Sequence, residues 1–224
     1  METLNKSNAM SNLSRIFVLF GLLMFFTSCG EDDSDGIFVF FPNGQGVDLE
    51  LLCNGTGTAD WMPLAVGNRW IFVDANTSSN SLEAFIIGQV VIDNLDYFQV
   101  RFDDGATSFT ELIRIGANGD VLIRGPYQNS TGGDDFIFIK ANPTPGEEWE
   151  YFGDDPANFE YFRSVQSLSS SLSTNRCDYD DVAIINEIAR DTAGVSTLIS
   201  TQKFKQGLGL VEIESLILDN IALN

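Results

Sequence analysis

The sequence predicts an all-β fold, an antiparallel meander of about ten strands forming a half-closed barrel or a sandwich, with at most one short helix. Three observations predict it. After residue 60 the apolar residues alternate or run in short β-branched and aromatic blocks. Gly, Asp and Asn turns separate those blocks. The blocks follow one another without intervening helices, so neighbours pair antiparallel rather than through crossovers.

Each element follows from its residues. Residues 37–41 (IFVFF) are too apolar for a linker and read as a first strand or a contact for a partner. Residues 70–73 (WIFV) form a short run after Gly67-Asn68, and residues 85–92 (FIIGQVVI) are β-branched and end at Asp93-Asn94. Residues 97–102 (YFQVRF) carry strict period-2 alternation, closed by Asp103-Asp104-Gly105. Residues 112–115 and 121–124 flank Asn118-Gly119 and read as a hairpin. Residues 136–140 (FIFIK), 149–152, 161–168, 197–204 and 210–213 complete the strands. Residues 181–190 fit either period, and a strand is the preferred reading. Gly207 and Gly209 flank one residue at a strand start, which suggests a bulge or a close backbone approach.

Composition bounds the function. The chain has 224 residues, of which 44% are hydrophobic, enough for one domain with a real core. Acids outnumber bases 32 to 12, so the surface repels phosphate backbones and no nucleic-acid partner is expected. There is no histidine. That removes Ser-His-Asp and Cys-His catalysis and His-ligated zinc. Three cysteines, Cys29, Cys53 and Cys177, are too few for a Cys₄ zinc site.

The N-terminus carries an address. Residues 16–26 (IFVLFGLLMFF) hold no charge over eleven positions, a signal-peptide core too short to span a bilayer, which takes ~20 residues. Arg15 is the positive flank, and a start at Met10 would leave an ordinary n-region. Phe26-Thr27-Ser28-Cys29 resembles a bacterial lipobox, with Phe26 where Leu is usual. That resemblance implies cleavage before Cys29 and lipidation of its thiol. The acidic residues 31–35 resemble the surface-export signal of lipoproteins in one group of Gram-negative bacteria. Glu31, Asp33, Asp35 and Gly36 also fall on EF-hand positions, but Pro42 stands where a bidentate Glu is needed.

The expected organisation is a signal peptide over 1–28, a lipidated cysteine and tether with a possible first strand over 29–60, and a single β domain over 61–224. The mature chain would keep ten bases against thirty-one acids, a formal charge of −21. Outside the cytoplasm Cys53 and Cys177 would be expected to pair; two buried free thiols are the alternative.

Three segments in order add a family. Residues 61–72 (WMPLAVGNRWIF), 113–121 (IRIGANGDV) and 204–211 (FKQGLGLV) are similar to the "PL-x-x-G-N-x-W" opening, the central hairpin and the "G-x-G-l-v" strand of secreted bacterial lipoproteins of unassigned function. Residues 145–149 (PGEEW) fit that set's mid-chain motif. The resemblance implies an antiparallel β domain on a lipid anchor, without an agreed activity.

Candidate sites are few. The acidic clusters read first as solvated turns. Asp178, Asp180 and Asp181 are the best metal candidates, since hard oxygens on one loop suit Ca²⁺; otherwise no cofactor is expected. Trp61, Trp70 and Trp149 read as core anchors, or as a stacking platform for sugar. Two acids 5–10 Å apart could serve a glycosidase, but nothing selects a pair. No catalytic residue is assigned. The resulting expectation is a monomeric lipoprotein of the outer membrane, surface-exposed or facing the periplasm, whose domain binds or scaffolds without catalysis. The alternatives are a carrier of an apolar ligand such as an acyl chain in a Phe-lined half-barrel, and a glycan-binding or glycan-cleaving accessory protein.

Overall fold

Twelve antiparallel strands make one nearly closed barrel in the computed structural model, which describes residues 48–77, 81–125, 133–152 and 159–223. The signal peptide, Cys29, the acidic tether with its EF-hand-like positions, and residues 37–41 lie outside the described residues. The strands are β1 (Arg69–Asp74), β2 (Ser81–Ile92), β3 (Leu95–Asp103), β4 (Ser108–Ile115), β5 (Val121–Arg124) and β6 (Asp135–Ile139). They continue as β7 (Glu148–Phe152), β8 (Phe159–Ser173), β9 (Asp178–Asp191), β10 (Ser196–Lys205), β11 (Gly209–Ile213) and β12 (Leu216–Ala222). Residues 181–190 are strand, as preferred from sequence.

The sheet order is β6-β5-β4-β3-β2-β1-β12-β11-β10-β9-β8-β7. Two six-stranded meanders therefore join where the first strand pairs with the last. The sequence reading stops at residue 213, and β12 is the strand it lacks. A bulge hides it: Ile71 pairs with Asn220 and Phe72 with Leu218, which leaves Asp219 as the extra residue. Asp219 instead takes the Arg176 guanidinium, so Asp219-Asn220 imitates a turn in the middle of a strand.

Turn chemistry sets the register. Asp93 and Asn94 both have positive φ, 54° and 62°, and make the tight two-residue turn between β2 and β3. At the other end of the barrel Asp74, Asp104 and Asp191 each accept backbone N–H groups of the turn that follows them. These are local caps, the reason an Asp begins each turn.

Ladder pairing stops between β6 and β7, which are consecutive in sequence yet edge the sheet. Side chains stitch this seam. Trp149 donates its indole N–H to the Ile137 carbonyl at 2.9 Å, and Lys140 pairs with Glu147. Trp61 donates to the Ala141 carbonyl at 3.0 Å in the loop between the two strands.

The folded unit begins upstream of residue 61. A helix, α1 (Leu49–Asn54), packs on β9 and β12 with Leu52 fully buried. Asp48 caps it by accepting the Leu51 N–H at 3.0 Å. Residues 48–60 thus belong to the domain and not to the tether. They plug one barrel end, formed by the turns β2–β3, β4–β5, β6–β7, β8–β9 and β10–β11. Cys53 of α1 is disulfide-bonded to Cys177 of the β8–β9 turn, with Cα atoms 5.2 Å apart. Gly207 N–H donates to Asp60 O at 2.7 Å and Thr56 N–H to Gly207 O at 3.1 Å. Gly207 has φ of +77°, and a Cβ there would meet Thr56 Oγ1 at 3.0 Å. This is the close backbone approach its glycines suggest. Among the described residues no helix is long and apolar enough to cross a membrane.

Candidate functional site

The barrel interior holds charged groups that the strand pattern places there. In β4 the inward positions alternate as Phe109, Glu111 and Ile113, since Phe102, Val100 and Phe98 of β3 pair with them in turn. Glu111 is 4% exposed. It lines an apolar cavity of about 30 Å³ together with Met62, Trp70, Phe72, Phe102, Phe138 and Phe204, among others. No hydrogen bond or ion pair to its carboxyl is found among the described residues. Burial alone pushes its pKa up to about 7, because the charged form loses its water and gains no partner.

The cavity volume limits its contents. One water needs roughly 10–15 Å³ by this measure, and a ~150 Å³ cavity is what admits benzene. This cavity has the volume of about two waters, and an acyl chain does not fit in it.

A second polar row crosses the opposite wall. Arg163 of β8 pairs across the ladder with Glu187 of β9, which pairs with Ser200 of β10. Arg163 is fully buried. Its guanidinium lies 4.1 Å from the centre of the Phe138 ring and 4.2 Å from that of Tyr151. It donates to the Phe138 carbonyl and to Gln202 Oε1, each at 3.0 Å, and stands 3.7 Å from Glu187. Burial raises the Glu187 pKa, and the Arg163 charge offsets only part of that rise. Phe138 belongs to both places, lining the Glu111 cavity and stacking on Arg163.

On the outer wall Tyr97 is buried between Arg114 and Arg124, and its hydroxyl donates to Asp135 at 2.8 Å. Arg114 pairs with Asp135 and Arg124 with Asp93. Each of these pairs spans at least one intervening strand, so the cluster ties the β2–β3 turn and β3 to β4, β5 and β6.

The structure separates the residues singled out from sequence. Trp61, Trp70 and Trp149 are 7%, 2% and 6% exposed. All three indole N–H groups donate to backbone carbonyls, that of Trp70 to Leu208 at 2.7 Å. They are core anchors, and the sugar-stacking alternative is corrected because no ring face is open to solvent. Asp178, Asp180 and Asp181 are exposed and do not converge. Asp178 accepts the Ser173 hydroxyl, and the Asp180 carbonyl accepts from Lys205. Among the described residues no three acids or cysteines lie close enough to hold a metal ion.

Glu111, Arg163 and Glu187 are absent from the sequence reading. Each had a signal: a charge whose neighbours two positions away are apolar, Phe109 and Ile113, Tyr161 and Val165, Ile185 and Ala189.

No protein-family model matches the chain, and no curated protein matches it. It is similar in structure to a Bacteroides fragilis NCTC 9343 protein described as exported and of YmcC-like fold. The identity is 12% and the TM-score 0.44, over 74% of this chain and 100% of that one. A likeness of this degree identifies no shared site.

Proposed function

We propose that this protein is a lipoprotein of the outer membrane, anchored through Cys29, whose barrel is a binding or scaffolding module without catalysis. The observation that carries the reading is how the chain enters the barrel. Eighteen residues, 30–47, separate Cys29 from Asp48, where the packed plug begins. The plug is held by α1, by the bonds around Gly207 and by the Cys53–Cys177 disulfide. A disulfide closed over so long a separation, 124 residues, suits an oxidising compartment. A chain held at one barrel end by a covalent bond, eighteen residues after Cys29, is built to bear an anchor. The acidic residues 31–35 favour export to the cell surface.

The interior supports a role on the outside of the barrel. Among the described residues its charges are paired within the wall or, at Glu111, line a space of water size. The expected partner therefore meets the outer surface or the turns.

The test is fractionation and mass spectrometry of the full chain expressed in a Gram-negative host. The expected mature N-terminus is a diacylglycerol-modified, acylated Cys29 in the membrane fraction, and Cys29→Ser moves the protein to the soluble fraction. An unmodified Cys29 in soluble wild-type protein would overturn the reading. Protease shaving of intact cells separates a surface-facing from a periplasm-facing domain.

A further inference from the structure

We infer that residues 37–41 (IFVFF) add a strand, antiparallel to β2, on a free edge that β2 presents at the plugged end. β2 runs past the strand beside it. β1 pairs with it only from Ser81 to Phe85, and Gly67 and Asn68 bond to Ile86 just beyond. There the chain leaves the line of β1 through a turn, in which Asn68 N–H donates to Ala65 O at 3.0 Å. From Gly88 to Ile92, β2 pairs with β3 alone among the described residues. Ile92 and Leu95 flank the two-residue turn and so form a hydrogen-bonded pair. Such pairs alternate along the ladder, which turns the N–H and C=O of Gln89 and Val91 toward the open side. An edge of this kind is a template for another strand.

The same stretch leaves apolar side chains of the core face uncovered. Val91 pairs with Asp96 and Gln89 with Phe98, so both share the sheet face of Val100 and Phe102, which fill the core. Ile115 shares that face with Ile113, the partner of Phe98. Yet Val91 is 65% exposed and Ile115 44%. The core face is thus open where the β2–β4 wall runs past the start of β1, next to the edge that lacks a strand.

Chain length chooses the occupant. Asp48 caps α1, which packs on β12, and β12 lies two strand positions from β2, ~10 Å at ladder spacing. Seven Cα steps join Phe41 to Asp48 and reach at most ~25 Å. Five residues, 37–41, match the five from Gly88 to Ile92. Antiparallel pairing sets Phe41 beside Gly88, nearest the plug. Pro42 has no N–H to continue the ladder and ends the strand there. Ile37 then stands at the β2–β3 turn, the point from which the chain continues to Cys29. Charge agrees. Exposed acids rim this end, among them Asp48, Glu50 and Asp96. Residues 36–47 carry no charge and meet no repulsion there. A second copy would bring the same acids and a formal charge of −20, without the advantage of a covalent link.

The inference does not depend on lipidation of Cys29. The experiment is amide hydrogen exchange at single-residue resolution, read by mass spectrometry with fragmentation, on the full chain in detergent micelles. Val90 is the internal reference, because its amide bonds to β3. Gln89 and Val91 should exchange about as slowly as Val90 in the wild-type protein. In Val39→Pro, which removes a donor at the middle of the segment, they should exchange roughly a hundredfold faster. Unchanged exchange in β8–β10 checks that the barrel is intact. Free exchange at Gln89 and Val91 in the wild type, with Val90 protected, overturns the inference. That comparison needs no variant, so it stands even where the proline disturbs the barrel. Protection that survives Val39→Pro also overturns it, and if that protection falls on dilution the occupant is a second copy. Each result leaves the anchor to its own test by fractionation.

Discussion

Arg163 of β8 reaches past β7 and donates to the carbonyl of Phe138 on β6, 3.0 Å away, while its guanidinium lies 4.1 Å from the centre of the Phe138 ring. The bond crosses the one junction in the sheet order that lacks a ladder. A single buried side chain thus helps to close the barrel.

Removing that guanidinium should be costly. Arg163→Met keeps much of the apolar stem but leaves Glu187 buried without its counter-charge. Breaking a buried pair from one side typically costs 3–5 kcal/mol. The loss, read from urea midpoints, should be smaller at pH 5 than at pH 8, because Glu187 is biased toward its neutral form by burial. Arg163→Met combined with Glu187→Leu should recover most of it.

Glu111 should make the barrel less stable as pH rises. Its folded pKa, about 7, lies above the ordinary carboxylate value of 4.5. Between those values the native state binds more protons than the unfolded chain, so stability falls with increasing pH. The penalty is absent below pH 4.5, grows through the window and is complete above pH 7, at about 3 kcal/mol. Glu111→Gln should remove this slope, and Glu111→Leu should raise the urea midpoint at pH 8 more than at pH 5. Wild-type and variant curves that stay parallel across pH 5–8 would dismiss the assignment.

Opening the disulfide should loosen the plug before the barrel. Cys53→Ser with Cys177→Ser should lower stability by roughly 2–4 kcal/mol. Limited proteolysis should then cut within residues 48–60 first, because α1 is a helix of under two turns that cannot persist without its packing.

Gly207→Ala should be among the most damaging single-methyl changes. The added Cβ faces Thr56 at a φ of +77°. The left-handed conformation alone costs a non-glycine residue about 1–2 kcal/mol, and the clash adds to it. A change under 0.5 kcal/mol in the denaturation curve would show that the plug shifts freely.

How much of this was legible can be argued from particular residues. The alternation in residues 97–102 is visible because each apolar side chain there meets a barrel core on one face. The turn at Asp93-Asn94 is visible because few residues accept two positive φ values in succession. β12 is not legible, since Asp219 at its bulge is answered by Arg176, distant in sequence. Helix α1 is hidden for a related reason. Six residues carry too little periodicity to register, and their order comes from Leu52 and Cys53 meeting β9, β12 and the β8–β9 turn.

By itself the sequence determines local conformation and facing: which segments extend, where they turn, and that Glu111 and Arg163 share a side with apolar neighbours. Those properties follow from φ and ψ preferences and from the two-residue period of a strand, both short-ranged. Only the tertiary structure decides that β1 and β12 pair, that the seam lies between β6 and β7, and that Glu111 ends without a partner among the described residues while Arg163 gains two aromatic rings. Sheet closure brings together residues tens of positions apart, and burial then sets which charges must be paired and which are driven toward neutrality.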